Sequence, residues 1–225
     1  LRAYGTDDKG TIAMSAHCCG QHQQPSGPSD GRQRRVLWIV LVINAVMFAV
    51  EIVAGHTARS AALQADALDF LADAANYGIS LAVVGTALTW RARAALVKGL
   101  SMGVLGLWVV GTTAWNAIAG TVPEAPVMGV VGLLALLANA VVLALLTGFR
   151  GGDANMRSVW ICSRNDVLAN LAVLGAALGV FGTGTGWPDI IVAGIMASLA
   201  LYGAGQVVRQ ALGELRPSAT VQAAE

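Results

Sequence analysis

Three carboxyl groups stand in a stretch of chain that otherwise suits hydrocarbon: Ser60-Ala-Ala-Leu-Gln-Ala-Asp66-Ala-Leu-Asp69-Phe-Leu-Ala-Asp73. An aspartate at mid-membrane costs about 2.5 to 3.5 kcal/mol on insertion scales, so three cost on the order of 8 to 10 before compensation. A penalty of that size points to a use. Asp69 and Asp73 are four residues apart and share one helix face, with Asp66 one turn from Asp69. Carboxylates stacked in this way repel unless a cation or protons sit between them. A second segment, Trp160-Ile-Cys162-Ser-Arg164-Asn165-Asp166-Val-Leu-Ala-Asn170, repeats the spacing with Cys162 and Asp166. Two residues from each of two helices would supply three oxygen donors and one sulfur, the number a tetrahedral transition-metal site takes. Hard ions such as Mg²⁺ and Ca²⁺ prefer larger all-oxygen shells, so the thiol favours Zn²⁺ first, with Cd²⁺ or Co²⁺ as the other candidates.

The elements that must carry these groups follow from composition. Of the 225 residues 56% are hydrophobic and 12% charged, against about 25% charged in ordinary soluble chains, which excludes a water-soluble globule. A formal net charge of +1 supplies no field for nucleic acid, which is excluded as a partner. A bilayer core about 30 Å thick needs about 20 apolar residues per helix. Six stretches meet that need, near 36–55, 60–88, 95–119, 125–148, 156–181 and 189–208, separated by short breaks with turn residues. The alternating ten-residue pattern of a membrane barrel is absent, so the expected fold is an all-α, polytopic bundle of six transmembrane helices. Lys and Arg cluster before span one (Arg32, Arg34, Arg35), between spans two and three (Arg91, Arg93, Lys98), between four and five (Arg150, Arg157) and after six (Arg209, Arg216). The opposite loops hold only Arg59. Both termini are therefore expected in the cytoplasm, with the chain in the cell's inner membrane. Gly99, Gly103, Gly106 and Gly111 in span three, and Gly194, Ala197, Gly203 and Gly205 in span six, offer small surfaces for close helix packing.

Residues 1–35 read as a flexible cytoplasmic tail, 36–208 as the transmembrane domain and 209–225 as a short cytoplasmic tail. Residues 1–13 precede the first methionine, Met14, and read as a processing remnant. The tail carries His17, Cys18, Cys19 and His22, soft ligands spaced too tightly for a rigid zinc site and better suited to transient metal capture. Glu51, Asp66, Arg164 and Asn165 are candidates for supporting the metal ligands or for a proton path. Arg164 is a candidate counter-charge for Glu51 or Asp66. Asp189, after Trp187-Pro188, reads as an acid favoured by the dipole of its own helix N-terminus.

These residues resemble the cation diffusion facilitator family of metal exporters. The match runs through Asn44, Phe48 and Glu51, then Ser60, Leu63, Ala65, Asp66, Asp69 and Asp73, then Asn139, Cys162 and Asp166, and finally Gly186, Asp189 and Ile190. It covers about residues 36–215, and the paired four-residue spacing is its specific part. The resemblance implies a six-helix bundle that exchanges a divalent cation for protons, with metal rather than any catalytic cofactor as its cargo. It implies that Asp69, Asp73 and Asp166 are ligands, with Cys162 where the family commonly has His or Asp. The family usually carries a folded cytoplasmic domain after span six; the short tail ending at Glu225 is expected to hold none, so a homodimer is expected to rest on the membrane helices.

The function expected is therefore efflux of a divalent transition metal by proton antiport with alternating access, in a secondary transporter rather than an enzyme. No GxxxxGK[ST] phosphate loop occurs in the chain. The competing readings are a membrane metal sensor or partner protein without transport, a membrane-embedded hydrolase using a metal-bound water, and a drug or proton exchanger that uses no metal.

Overall fold

The computed structural model describes residues 31–82, 88–148 and 154–215, with the side chains of 33, 88, 89, 91 and 154–162 outside the description. The described residues are helices joined by short connections: α1 (Gly31–Thr57), α2 (Ala61–Ala82), α3 (Leu88–Ala119), α4 (Ala125–Thr147), α5 (Ala154–Thr183) and α6 (Trp187–Leu215). The all-α bundle of six helices expected from the sequence is present. Three helices overrun the expected boundaries by a turn or more, α1 beginning at Gly31, α3 beginning at Leu88 and α6 continuing to Leu215. Arginine is a good helix former, so basic residues such as Arg32, Arg34, Arg35 and Arg209 can extend a helix past the hydrocarbon. Of the expected tails at 1–35 and 209–225, residues 1–30, with His17, Cys18, Cys19 and His22, and residues 216–225 lie outside the described residues.

Among the described residues, five helices are long and apolar enough to cross a membrane: α1, α3, α4, α5 and α6. The large apolar side chains these helices leave exposed, among them Val104, Ile118, Leu137, Leu178, Phe181 and Ile195, form the surface a lipid solvent requires, and the chain is a multi-pass membrane protein. Trp38 and Trp90 are exposed at one end of the bundle and Trp115 and Trp187 at the other, where amphipathic rings meet headgroups.

The exception, α2, carries the three aspartates. Its 22 residues rise about 33 Å, enough to span the core. It tolerates the acids because it does not face lipid: most of its residues, from Ala61 through Tyr77, are buried, and it packs against α1, α3, α5 and α6. Small residues make the centre of the bundle narrow enough for this, with Ala61, Ala62, Ala65, Ala67, Ala72 and Ala74 all buried.

The turns joining α1 to α2, α3 to α4 and α5 to α6 meet at one end, here the far end; the starts of α1, α3 and α5 define the near end. At the far end Arg59 takes a positive φ of 56°, closing α1 with a Ser60 N–H to Gly55 carbonyl bond of 2.9 Å. The Ala58 carbonyl accepts from the Glu124 amide at 3.0 Å, and the Arg59 carbonyl from Asn116 Nδ2 at 3.2 Å. Helices α3 and α6 form an extensive pair. Only part of the expected small-residue surface brings them together: a Cβ on Gly99 would stand 2.8 Å from Val208, and one on Gly106 2.8 Å from Leu201, whereas Gly103, Gly111, Gly194, Gly203 and Gly205 face open space.

Candidate metal site between α2 and α5

Asp69 and Asp166 meet. Asp69 hangs from the middle of α2 and Asp166 from α5, and their carboxyl groups lie within hydrogen-bonding reach of each other. Asp166 is buried, while half-buried Asp69 borders a cavity of about 160 Å³ with Asp166, Asn165, Ala65, Met102 and Ala200. At about 30 Å³ per water, that cavity has room for a partly hydrated cation. The remaining walls are apolar residues of α2, α5 and α6, so polar atoms are concentrated at the carboxyl end.

Asp73 is buried one turn further toward the near end, where its Oδ2 accepts from Tyr77 Oη at 3.2 Å. It does not border the cavity, although its spacing sets it on the Asp69 face of α2. Cys162 stands one turn before Asp166 on α5, and its side chain lies outside the described residues. Among the described residues no three of His, Cys, Asp or Glu converge on one point. The two middle members of the expected quartet are thus in contact, and the near-end members, Asp73 and Cys162, belong to the same two helix faces.

Arg164 is exposed. Two positions along a helix turn it by about 200°, so Arg164 leaves α5 on nearly the opposite side from Asp166. The positive charge that Asp69 faces is instead Lys98 of α3. Lys98 is buried and its ammonium donates to Asn76 Oδ1. Asn76 stands seven residues after Asp69 and three after Asp73, on the acidic face of α2. The sequence marked Lys98 only as a loop cation, although an ammonium inside an apolar helix is as costly as an aspartate.

Toward the far end a second polar group crosses the bundle. Asp66 is fully buried and both its oxygens accept from Asn170 Nδ2, at 2.9 and 3.0 Å. Asn170 Oδ1 accepts from Asn139 Nδ2 at 3.3 Å, which ties α2, α5 and α4 together. Glu51 of α1 is fully buried with its carboxyl toward Asp66, and among the described residues neither of its oxygens meets an N–H or hydroxyl donor. Two acids in contact away from water can pass a proton between them. Asn170 had a signal in the sequence: it continues the four-residue stripe of Cys162 and Asp166.

A helical membrane bundle with carboxyl groups of two helices meeting at the wall of an otherwise apolar cavity is the class this geometry defines. The cation efflux transmembrane domain matches residues 37–216, and the chain belongs to that family. It is 27% identical over 207 residues to the zinc transporter ZitB of Pectobacterium atrosepticum, a match covering 84% of this chain and 63% of that protein. To ZitB of Escherichia coli it is 28% identical over 217 residues, covering 89% and 68%. To the metal cation efflux system protein CzcD of Cupriavidus metallidurans it is 23% identical over 184 residues, covering 76% and 57%. The chain therefore spans 57% to 68% of these relatives' own lengths.

Proposed function

We propose that this chain exports a divalent transition-metal cation, zinc foremost, in exchange for protons. The observation that carries the reading is the meeting of Asp69 and Asp166 across α2 and α5 at the wall of a cavity. Asp69, Asp73, Cys162 and Asp166 are the ligands of the cargo ion, and the thiolate opens the site to Cd²⁺ or Co²⁺. Four anionic ligands around a dication leave a net charge of about −2, costly in low dielectric. The Lys98 ammonium facing Asp69 offsets part of that charge, and protons offset more as they compete with metal for the same oxygens.

Glu51 and Asp66 form the proton path, Asn165 borders the cavity beside Asp166 and supports the ligands, and Arg164 serves the protein surface. The cavity opens alternately to the two sides, so an inward proton gradient drives metal outward without a nucleotide. The near end carries Arg32, Arg34, Arg35, Arg93 and Arg209, which supports a cytoplasmic near end in the inner membrane. A homodimer through the membrane helices completes the reading. The test is zinc uptake into proteoliposomes under an imposed pH gradient. Wild type should accumulate zinc only with the gradient, and Asp69→Ala and Asp166→Ala should each abolish it; wild-type rates in both variants overturn the reading.

A further inference from the structure

Asp189 sits in the first turn of α6, where its charge suits its own helix dipole, yet its hydrogen bonds go to α2. Oδ1 accepts from the Ser60 hydroxyl at 2.6 Å and from the Ala62 amide at 3.0 Å, and Oδ2 accepts from the Ala61 amide at 2.9 Å. The Ser60 oxygen accepts in turn from the Leu63 amide at 3.1 Å. The amides that the first turn of a helix leaves without intrahelical partners are thus met largely by a carboxylate from a different helix, distant by more than 120 residues of chain.

The surroundings make this contact hard to part. Asp189 is 1% exposed, so separating α2 from α6 here would strand a buried carboxylate and two amides together. Ala61, Ala62 and Ala193 pack directly beside it, their small side chains letting the two backbones approach. Gln64, one turn on, is also tied down, donating to the Gly55 carbonyl and accepting from Trp108 Nε1 at 3.3 Å each. All of these contacts precede Asp66 on α2.

We propose that Asp189 is a positioning residue: it pins the first turn of α2 to α6, sets the depth and rotation of Asp66, Asp69 and Asp73, and forms a joint that stays closed while the helices swing about it. One residue of slippage turns a helix by about 100°, which would carry Asp69 off the side that meets Asp166. The joint rests on the transport reading only in its zinc arm.

Hydrogen exchange on the full chain in nanodiscs, read by mass spectrometry, tests it together with equilibrium Zn²⁺ binding. In wild type the amides of 61–63 should be strongly protected, equally with and without Zn²⁺. Asp189→Ala should speed their exchange by about tenfold or more, spread faster exchange into 64–73, and raise the Zn²⁺ Kd by about tenfold. Ser60→Ala, which keeps two carboxylate bonds, should fall between them. If Asp189→Ala fails to fold, the isosteric Asp189→Asn, which loses one acceptor, carries the same comparison. Faster exchange that stops at residue 63 with an unchanged Zn²⁺ Kd would reduce Asp189 to a local cap and overturn the proposal. Loss of protection at 61–63 in wild type on adding Zn²⁺ would make the contact a gate and overturn it too. A wild type that binds no Zn²⁺ refutes the transport reading, and the spread of exchange alone then decides for or against the joint.

Discussion

Replacing Asn170 with leucine, a side chain of similar size, separates what Asp66 does for the fold from what it does for protons. The substitution removes both bonds that Asp66 accepts, at 2.9 and 3.0 Å, and leaves Asn139 Nδ2 without its 3.3 Å acceptor. Interhelical hydrogen bonds in membrane proteins average about 0.6 kcal/mol and reach about 1.7, while bonds to charged groups run about 1.5 to 3. With two of the three lost bonds falling on a fully buried carboxyl group, the expected cost is about 2 to 4 kcal/mol. That is a large part of a total stability of about 5 to 15 kcal/mol. Equilibrium unfolding in mixed micelles measures it, and a double-mutant cycle with Asp66→Leu isolates the pair. The double variant, in which both partners are apolar, should recover about 1 to 2 kcal/mol relative to additivity. A loss under about 0.5 kcal/mol in Asn170→Leu, or a coupling of zero, would show that the Asp66 bonds do not hold α2 to α5. The double variant should fold yet move no zinc under a proton gradient. Wild-type flux in it would remove Asp66 from the proton path.

Asp69→Asn and Asp166→Asn should each abolish the thermal stabilisation that zinc confers, about 2.7 kcal/mol for wild type at a zinc concentration of 100 Kd; melting curves with and without zinc read this directly. Gly186→Ala would drive a Cβ into the Thr121 backbone carbonyl, where neither chain can yield cheaply. It should cost about 1 to 3 kcal/mol, whereas Gly103→Ala, facing open space, should stabilise by up to about 1 kcal/mol; parallel melts distinguish them. Arg59→Gly should stabilise the α1–α2 turn by about 1 kcal/mol, because a non-glycine residue at φ 56° is strained there, and unfolding measurements check the sign. Cys162→Asp should lower cadmium flux relative to zinc flux in the same proteoliposomes, since it exchanges a soft ligand for a hard one; an unchanged ratio would remove the thiol from the site.

Local pattern was enough to reveal the helices and the groups that carry chemistry. Twenty-residue apolar runs and their turn residues are properties of contiguous chain, and so is the cost of three aspartates within two turns of α2. Helix periodicity alone set Asp69 over Asp73 and Cys162 over Asp166. Partnership across helices is not local, and there the readings diverged. Arg164 was a candidate counter-charge for Glu51 or Asp66, but it lies exposed on α5, while Lys98, from α3, is the cation that Asp69 faces. Asp189 read as an acid serving its own helix; only the convergence of three turns at the far end shows that its carboxylate serves α2. The lesser hydropathy of α2 likewise makes sense only once its neighbours are seen to shield it from lipid. A sequence records which side chains cannot face hydrocarbon unaided. Which partner relieves each of them is decided by how helices distant in the chain are rotated and stacked, a property of the packed bundle as a whole.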